Sequence, residues 1–198
     1  MSLDKSRKEI LINAQKLFQE KGLADVTVDD IARSIGKGKS SLYYYFKNKE
    51  DIFSAVLEME INEIIRDTIK KTIKENTFQK KLEAFALTKF EMAKRRKSLY
   101  VLTETGLSND EIQKYKQLKN NVHISYLSKE QIILHQLWEE EITSRKEIYK
   151  DDDIDTEILL FLCSLRGINR EMAIRDNSDM ARTLIFYLCN LIASNIKK

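Results

Sequence analysis

The apolar positions of this chain fall at helical spacing from one end to the other. Ile10, Leu11, Ala14, Leu17 and Phe18 follow the i, i+4, i+7, i+8 spacing of one buried stripe and predict a first helix over 5–20. Lys21 and Gly22 end it, the glycine as a left-handed cap. Thr27 is a good N-cap for a second, short helix. Asp30 three residues on completes a short-chain capping box, and Val26 and Ile31 are spaced as a hydrophobic staple. Val28, Ile31, Ala32 and Ile35 make its buried face, and Gly36 stops it. A third helix is predicted from Gly38 or Lys39 to Tyr45. Two short helices joined by a glycine-containing turn form a helix-turn-helix. Asn48 then caps a fourth, with Glu50 and Asp51 in its first turn favoured by the helix dipole. The fourth stripe is long: Ile52, Phe53, Val56, Leu57, Ile61, Ile64, Ile65, Ile69 and Ile73, ending near Lys74.

Beyond Asn76 the pattern stays helical. One helix fits 78–97, with Phe78, Leu82, Phe85, Ala86, Phe90 and Ala93 as its apolar series, followed by a short one over 98–105 ended by Gly106. Asn109 is placed to cap 110–121, and a further helix over 122–148 carries Val122, Tyr126, Ile132, Ile133, Leu137 and Trp138. Asp153 or Asp155 opens 154–175, and Ser178 or Asp179 opens 179–196. These last two helices are apolar around most of their circumference and so must be covered on two sides. The predicted cover is a second copy of the chain, the two pairs forming a four-helix bundle about a twofold axis. Leu159, Leu162, Leu184, Leu188 and Leu191 are the expected interface residues. The alternative is one larger monomeric core.

Composition agrees with an all-α fold: 42% hydrophobic residues suffice for a core, and 198 residues include five glycines and no proline. No apolar run approaches the roughly 20 residues that span a bilayer, and the first residues lack the apolar segment of a signal peptide, so no membrane partner is expected. Cys163 and Cys189 lie in apolar stretches, where cysteine acts as a small buried hydrophobe; without a disulfide framework the expected compartment is the cytoplasm. The net charge of +3 is uninformative until divided. Residues 1–50 hold ten Lys/Arg against seven Asp/Glu, and the remainder holds 24 of each, so the surplus lies at the N-terminal end.

Within that end, Leu42 and Phe46 stand one helical turn apart and face a core together. Tyr44 then points away from them, beside Ser40 and Ser41. Residues 37–49 carry four lysines and no acid. An outward aromatic among hydroxyls and lysines fits a surface that touches nucleic acid, the lysines contacting phosphate. A solvated lysine-rich face is the plain alternative.

No other chemistry is signalled. His123 and His135 are twelve residues apart without a shared carboxylate or cysteine at helical ligand spacing, and Glu139 at i+4 from His135 is a single pair, so no metal and no cofactor is expected. Phosphate-loop, nucleophile-elbow and Cys-x-x-Cys motifs are absent, and no enzyme is expected. A pocket between helices would be apolar and aromatic with a few polar anchors. By type and region Phe85, Phe90, Tyr100, His123, Tyr126, Trp138 and Asn169 are its candidates, each with plain core or surface as the alternative.

At this point the residues match a family. Ile10, Ala14, Leu17-Phe18, Gly22, the run Thr27-Val28-Asp29-Asp30-Ile31-Ala32, Gly36 and the run from Lys39 to Glu50 resemble the TetR family of bacterial transcriptional regulators. The rest of the chain matches only in helical pattern and length, plus Gly167 inside the penultimate helix. The resemblance implies a homodimer with a helix-turn-helix DNA-binding head over 1–48. It also implies an effector-binding and dimerisation domain over 49–198, connected through helix 49–74. Carried over, Thr27 would contact a phosphate, Lys39, Ser40, Ser41 and Tyr44 would face bases, and Tyr43, Tyr45 and Lys49 would hold the DNA backbone. Tyr45 lies about 80° from the Leu42–Phe46 direction, which leaves it either core or DNA-facing. Gly38, Lys37 and Ser40 depart from the family pattern, which bears on the base sequence read. The implied function is that of a repressor released from a palindromic double-stranded operator by a small hydrophobic effector. The alternatives are an activator or architectural DNA binder without an effector, and a helical protein–protein adaptor.

Overall fold

The computed structural model describes residues 3–104, 107–145 and 151–195, with side chains described over 5–92, 107–144 and 153–195. Eight α-helices order these residues: α1 (Leu3–Lys21), α2 (Val28–Ser34), α3 (Lys39–Tyr43), α4 (Lys49–Thr72), α5 (Phe78–Glu104), α6 (Asn109–Arg145), α7 (Asp151–Ile174) and α8 (Ser178–Asn195). Local chemistry sets their ends. Gly22 (φ +83°) and Gly36 (φ +65°) take the left-handed conformation that closes α1 and α2. The bonds Gly36 N–H to Arg33 C=O (3.1 Å) and Lys37 N–H to Ala32 C=O (3.0 Å) then satisfy the last carbonyls of α2. At the other end Thr27 Oγ1 accepts from Asp30 N–H at 3.1 Å, while Asp30 accepts from Thr27 N–H at 2.9 Å. This reciprocal capping box is worth about 1 kcal/mol to a two-turn helix. Asn48 Oδ1 accepts from Asp51 N–H at 2.8 Å and opens α4.

Several boundaries differ from the expectation. α5 runs unbroken to Glu104 and α6 unbroken for 37 residues, where two helices each were expected. The reason is the lack of a breaker: there is no proline, and Gly106 is the one glycine between 39 and 166. The expected stop at Gly106 lies outside the described residues. α6 is capped by Ser108 rather than Asn109, since Glu111 accepts from Ser108 Oγ at 2.7 Å and Ser108 N–H at 3.0 Å. α8 is capped by Asn177, whose Oδ1 accepts from Met180 N–H at 2.9 Å. Before it, Asp176 (φ +48°) occupies the left-handed position usual for glycine, and Asn177 N–H reaches back to Met172 C=O at 3.1 Å.

The chain divides into two compact units, Met1–Glu63 with Arg95–Tyr126, and Ile64–Lys94 with Leu127–Lys198. Helices α4, α5 and α6 contribute residues to both. In the first unit the fully buried side chains Ile10, Leu23, Ile31, Leu42 and Ile52 pack α1–α3 against the start of α4. Phe53 meets Phe18 and Tyr115 edge-on, with ring centroids 5.8 and 5.3 Å apart. Lys114 on α6 donates to Glu50 on α4 at 2.7 Å beside that aromatic contact. Burial opposes ionisation of Glu50, but the Lys114 bond, the Glu50 backbone N–H and the charges of Lys114 and Lys49 together outweigh it, and the carboxyl sits below the usual glutamate range.

In the second unit Leu82, Phe85, Leu134, Trp138, Ile158, Phe161 and Leu162 form one fully buried cluster. Trp138 packs edge-on to Phe78 at 4.9 Å and donates its indole N–H to Glu157 at 2.7 Å. Two expectations fail here. Ile69 and Ile73 are exposed, and Thr68 and Thr72 face the interior instead, because the buried line drifts by one residue along the last turns of α4. Cys163 is exposed; Cys189 is the buried thiol, its pKa pushed up to about 12 by desolvation and the nearby Glu83.

Candidate nucleic-acid interface

The helix-turn-helix occupies α2, the turn at Gly36, and α3. Helix α3 is five residues long, too short to hold itself in water, so the core fixes it. Leu42 is fully buried and Phe46 nearly so, one turn apart as the spacing predicts. Arg7 lies over the Phe46 ring with its guanidinium carbon 5.2 Å from the centroid. With those two side chains turned inward, the opposite face of α3 is presented outward. Lys39, Ser40 and Ser41 are exposed, Tyr43 is 48% exposed, and Tyr44 is 72% exposed. Tyr45 is half-buried and its ring meets Tyr44 edge-on at 5.1 Å, so it braces the outward tyrosine. The α3 N-cap is Gly38, which makes no side-chain cap bond.

Three basic side chains around this face are paired within the protein. Lys39 Nζ donates to Asp29 at 3.0 Å, and this bond raises the lysine pKa. Arg33 donates to Asp30 at 2.7 Å, and Lys37 lies 3.9 Å from Glu9. Thr27 is exposed, and its hydroxyl donates to Asp30 at 2.6 Å; the Thr27 hydroxyl and amide together hold the Asp30 carboxyl below its usual range. Lys49 stands apart from the rest. It is half-buried, and its ammonium donates to the carbonyls of Leu23 at 2.8 Å and Ala24 at 3.4 Å, tying the α1–α2 turn to the first residue of α4.

The pocket candidates are divided between the two units. His123 is exposed and Tyr126 buried in the first unit, their rings 6.4 Å apart. Phe85, Phe90 and Trp138 belong to the core of the second unit, where Phe161 lies 6.2 Å from Phe85 and 6.0 Å from Trp138. Asn169 is half-buried on α7, and its Oδ1 has no hydrogen-bond partner. The side chain of Tyr100 lies outside the described residues. Of the expected interface leucines, Leu159 and Leu191 are about half exposed, Leu184 and Leu188 pack partly against the core, and Leu162 is wholly inside it. Leu162 is therefore a core residue of its own chain, not a contact for another.

Sequence reasoning missed several pairings, and two differ in whether any signal pointed to them. Asp29 as the partner of Lys39 carries no sequence signal, because a turn separates them. The buried pair Lys89–Glu130, joining α5 to α6, did carry one: each charge falls on the apolar stripe of its helix, Lys89 with Leu82, Phe85 and Ala86, and Glu130 with Ile133, Leu134 and Leu137.

Residues 10–56 match the family model described as bacterial regulatory proteins, tetR family. Over 57 residues the chain is 44% identical to the biofilm operon icaADBC HTH-type negative transcriptional regulator IcaR of Staphylococcus epidermidis, covering 29% of this chain and 31% of IcaR. The match thus spans about a third of the curated relative's length. The fold extends over the whole chain. The fatty acid degradation regulator FadR of Bacillus halodurans superposes with a TM-score of 0.65 at 16% identity, over 98% of this chain and 97% of that one. FadR of Bacillus subtilis, solved with stearoyl-CoA, superposes with a TM-score of 0.59 at 23% identity, over 94% and 97%. At these identities the likeness is one of fold.

Proposed function

We propose that this chain, whose residues 10–56 match the tetR family of bacterial regulatory proteins, is a TetR-family DNA-binding transcriptional repressor, acting in the cytoplasm as a homodimer on a near-palindromic operator. The observation that carries this reading is the presentation of α3. Leu42 and Phe46 are buried, while Lys39, Ser40, Ser41, Tyr43 and Tyr44 are outward, within the segment that matches the family. A recognition helix reaches base edges with its N-terminal residues, and hydroxyls and lysines bind phosphates. Lys39 and Tyr44 are the base-reading candidates, donating to guanine and packing on a thymine methyl. Thr27, Ser40, Ser41, Tyr43 and Tyr45 position the helix. Lys49 positions the head from within, through the Leu23 and Ala24 carbonyls. The negative sign of regulation follows the name of the matched relative.

Dimerisation is assigned to α7 and α8. Leu160, Cys163 and Gly167 on α7, and Met180, Tyr187 and Leu191 on α8, lie exposed at three- to four-residue or double-turn spacing. Each helix thus keeps one outward apolar line after its inward line is buried, the pattern of an isologous four-helix seam. The second unit is the effector-binding part. The Bacillus subtilis protein of the same fold was solved with stearoyl-CoA, and the acyl chain of that ligand supports an effector with a large apolar part here.

Fluorescence anisotropy with a labelled duplex pool from the source genome tests the reading. The wild-type chain binds with an affinity that falls steeply with salt, as phosphate neutralisation requires. A salt-insensitive interaction, or none, removes it.

A further inference from the structure

The second unit has an interior that its apolar cluster does not explain. All six buried polar side chains among the described residues lie in it: Thr68, Thr72, Glu83, Thr88, Lys89 and Glu130. Five are accounted for within the protein. The three threonine hydroxyls donate one turn back to Ile64, Thr68 and Ala84 carbonyls at 2.7–2.8 Å. Glu83 accepts from Lys80 at 2.6 Å and Gln79 at 3.0 Å, and Lys89 donates to Glu130 Oε1. Glu130 is the exception. It is 2% exposed, and its Oε2 has no hydrogen-bond partner.

A buried carboxylate oxygen without a donor is costly, and native interiors rarely leave one so. A pair that served only to join α5 to α6 would be replaceable by apolar side chains at little or no loss. Here two charges interrupt an otherwise apolar seam and leave an acceptor open. The same stretch of α4 turns Thr68 and Thr72 inward and isoleucines outward, and Lys71 and Glu91, 3.4 Å apart, tie α4 to α5 within a turn of Lys89. Departures from the local hydrophobic rule concentrate where a protein does its work.

We propose that Glu130 Oε2 is the polar anchor of the effector site, and that the effector is an uncharged, largely apolar molecule bearing one hydroxyl or N–H donor. This rests on the effector reading above and gives it a residue and a chemical class. The class follows from charge. Lys89 and Glu130 already sum to zero, so a neutral donor completes the hydrogen bonding of Glu130 and leaves the site neutral. An ammonium or carboxylate ligand would bury one net charge in the low-dielectric interior. The rest of the ligand would lie against the apolar seam of α5 and α6.

The test uses the full chain and three probes of one length, 1-decanol, decanoate and decylammonium. Binding is read from fluorescence of the sole tryptophan, Trp138, which is fully buried two turns beyond Glu130 on α6. Decanol binds about tenfold or more tightly than either ion. In the pair-neutral variant Lys89→Met/Glu130→Leu, decanol binding falls by about tenfold while melting and helicity are retained. The proposal is overturned if the wild type binds none of the three, if it prefers an ion, or if the double variant binds decanol as the wild type does. The wild-type ranking stands by itself should the variant not fold. Operator affinity measured in the same titrations separates the two claims. Decanol that binds through Glu130 without weakening operator binding leaves the site and removes effector release. Release by a ligand indifferent to the double substitution removes the site and leaves effector release.

Discussion

Lys49→Ala separates two roles for one lysine. A phosphate ligand at this position would donate outward to DNA. Instead its ammonium spans from the first residue of α4 to the carbonyls of Leu23 and Ala24, with the nearer bond at 2.8 Å. Those carbonyls belong to the turn that sets α1 against α2, next to the fully buried Val26. A hydrogen bond to a charged donor contributes about 1.5–3 kcal/mol when enclosed. Here the side chain is half-buried and water recovers part of the loss, so the substitution costs the head about 1–2 kcal/mol. In thermal unfolding this is a drop of about 2–8 °C for a chain of this length. Amide exchange should quicken over residues 22–27 ahead of the rest. Operator affinity falls only through the loosened turn, and the slope of log affinity against log salt stays at the wild-type value. A phosphate ligand would instead flatten that slope by about one unit and leave stability alone. Unchanged melting with a flattened slope would refute the positioning role.

Four further outcomes follow from the same geometry. Tyr44→Ala weakens operator binding by about 1–3 kcal/mol in anisotropy titrations without shifting the melting temperature, because the ring is 72% exposed; equal binding would remove it from the interface. Gly167 has open space where a Cβ would stand, so Gly167→Leu meets nothing in a single chain but crowds a second copy. Sedimentation should show dimerisation weakened by roughly tenfold or more, and unchanged association would move the interface elsewhere. Thiol titration of the native chain at mild alkaline pH should label Cys163 and spare Cys189, whose pKa near 12 and burial keep it protonated, with both reacting in denaturant; slower labelling of Cys163 at concentrations that favour the dimer would place it at the seam. Glu50 has a folded-state pKa below its unfolded value, so its contribution is complete above the ordinary glutamate range and is lost as pH falls through the lowered folded value. Glu50→Gln removes that part of the acid-side loss of stability, and an unaltered acid profile would deny the Lys114 contact a role.

The head was legible because its signals are local. Thr27 with Asp30, Gly22, Gly36 and Asn48 each act within a few residues, and each takes the expected place. The outward course of Tyr44 followed from periodicity alone, since Leu42 and Phe46 leave it one direction. The second half was legible only as helix. Without proline, and with a single glycine over a long span, no residue marked where one helix should yield to another, and α6 ran on for 37 residues. Tertiary pairings were hidden for a different reason. Lys49 reads as one more basic residue beside a recognition helix until the Leu23 carbonyl is seen opposite it. Leu162 reads like its exposed neighbour Leu159, and only the packing of Phe85, Phe161 and Trp138 decides which leucine turns inward. Lys89 and Glu130 were readable in principle as charges set on apolar stripes.

The central claim is that α3 reads a two-half-site DNA sequence, and selection of bound fragments from the source genome by the purified chain tests it most directly. At about 0.15 M salt the wild type should enrich fragments sharing a near-palindrome, with half-sites one helical turn or a multiple apart. Tyr44→Ala should lose that enrichment. Fragments recovered no better than background by ligand-free protein, or equally by both chains, would contradict it.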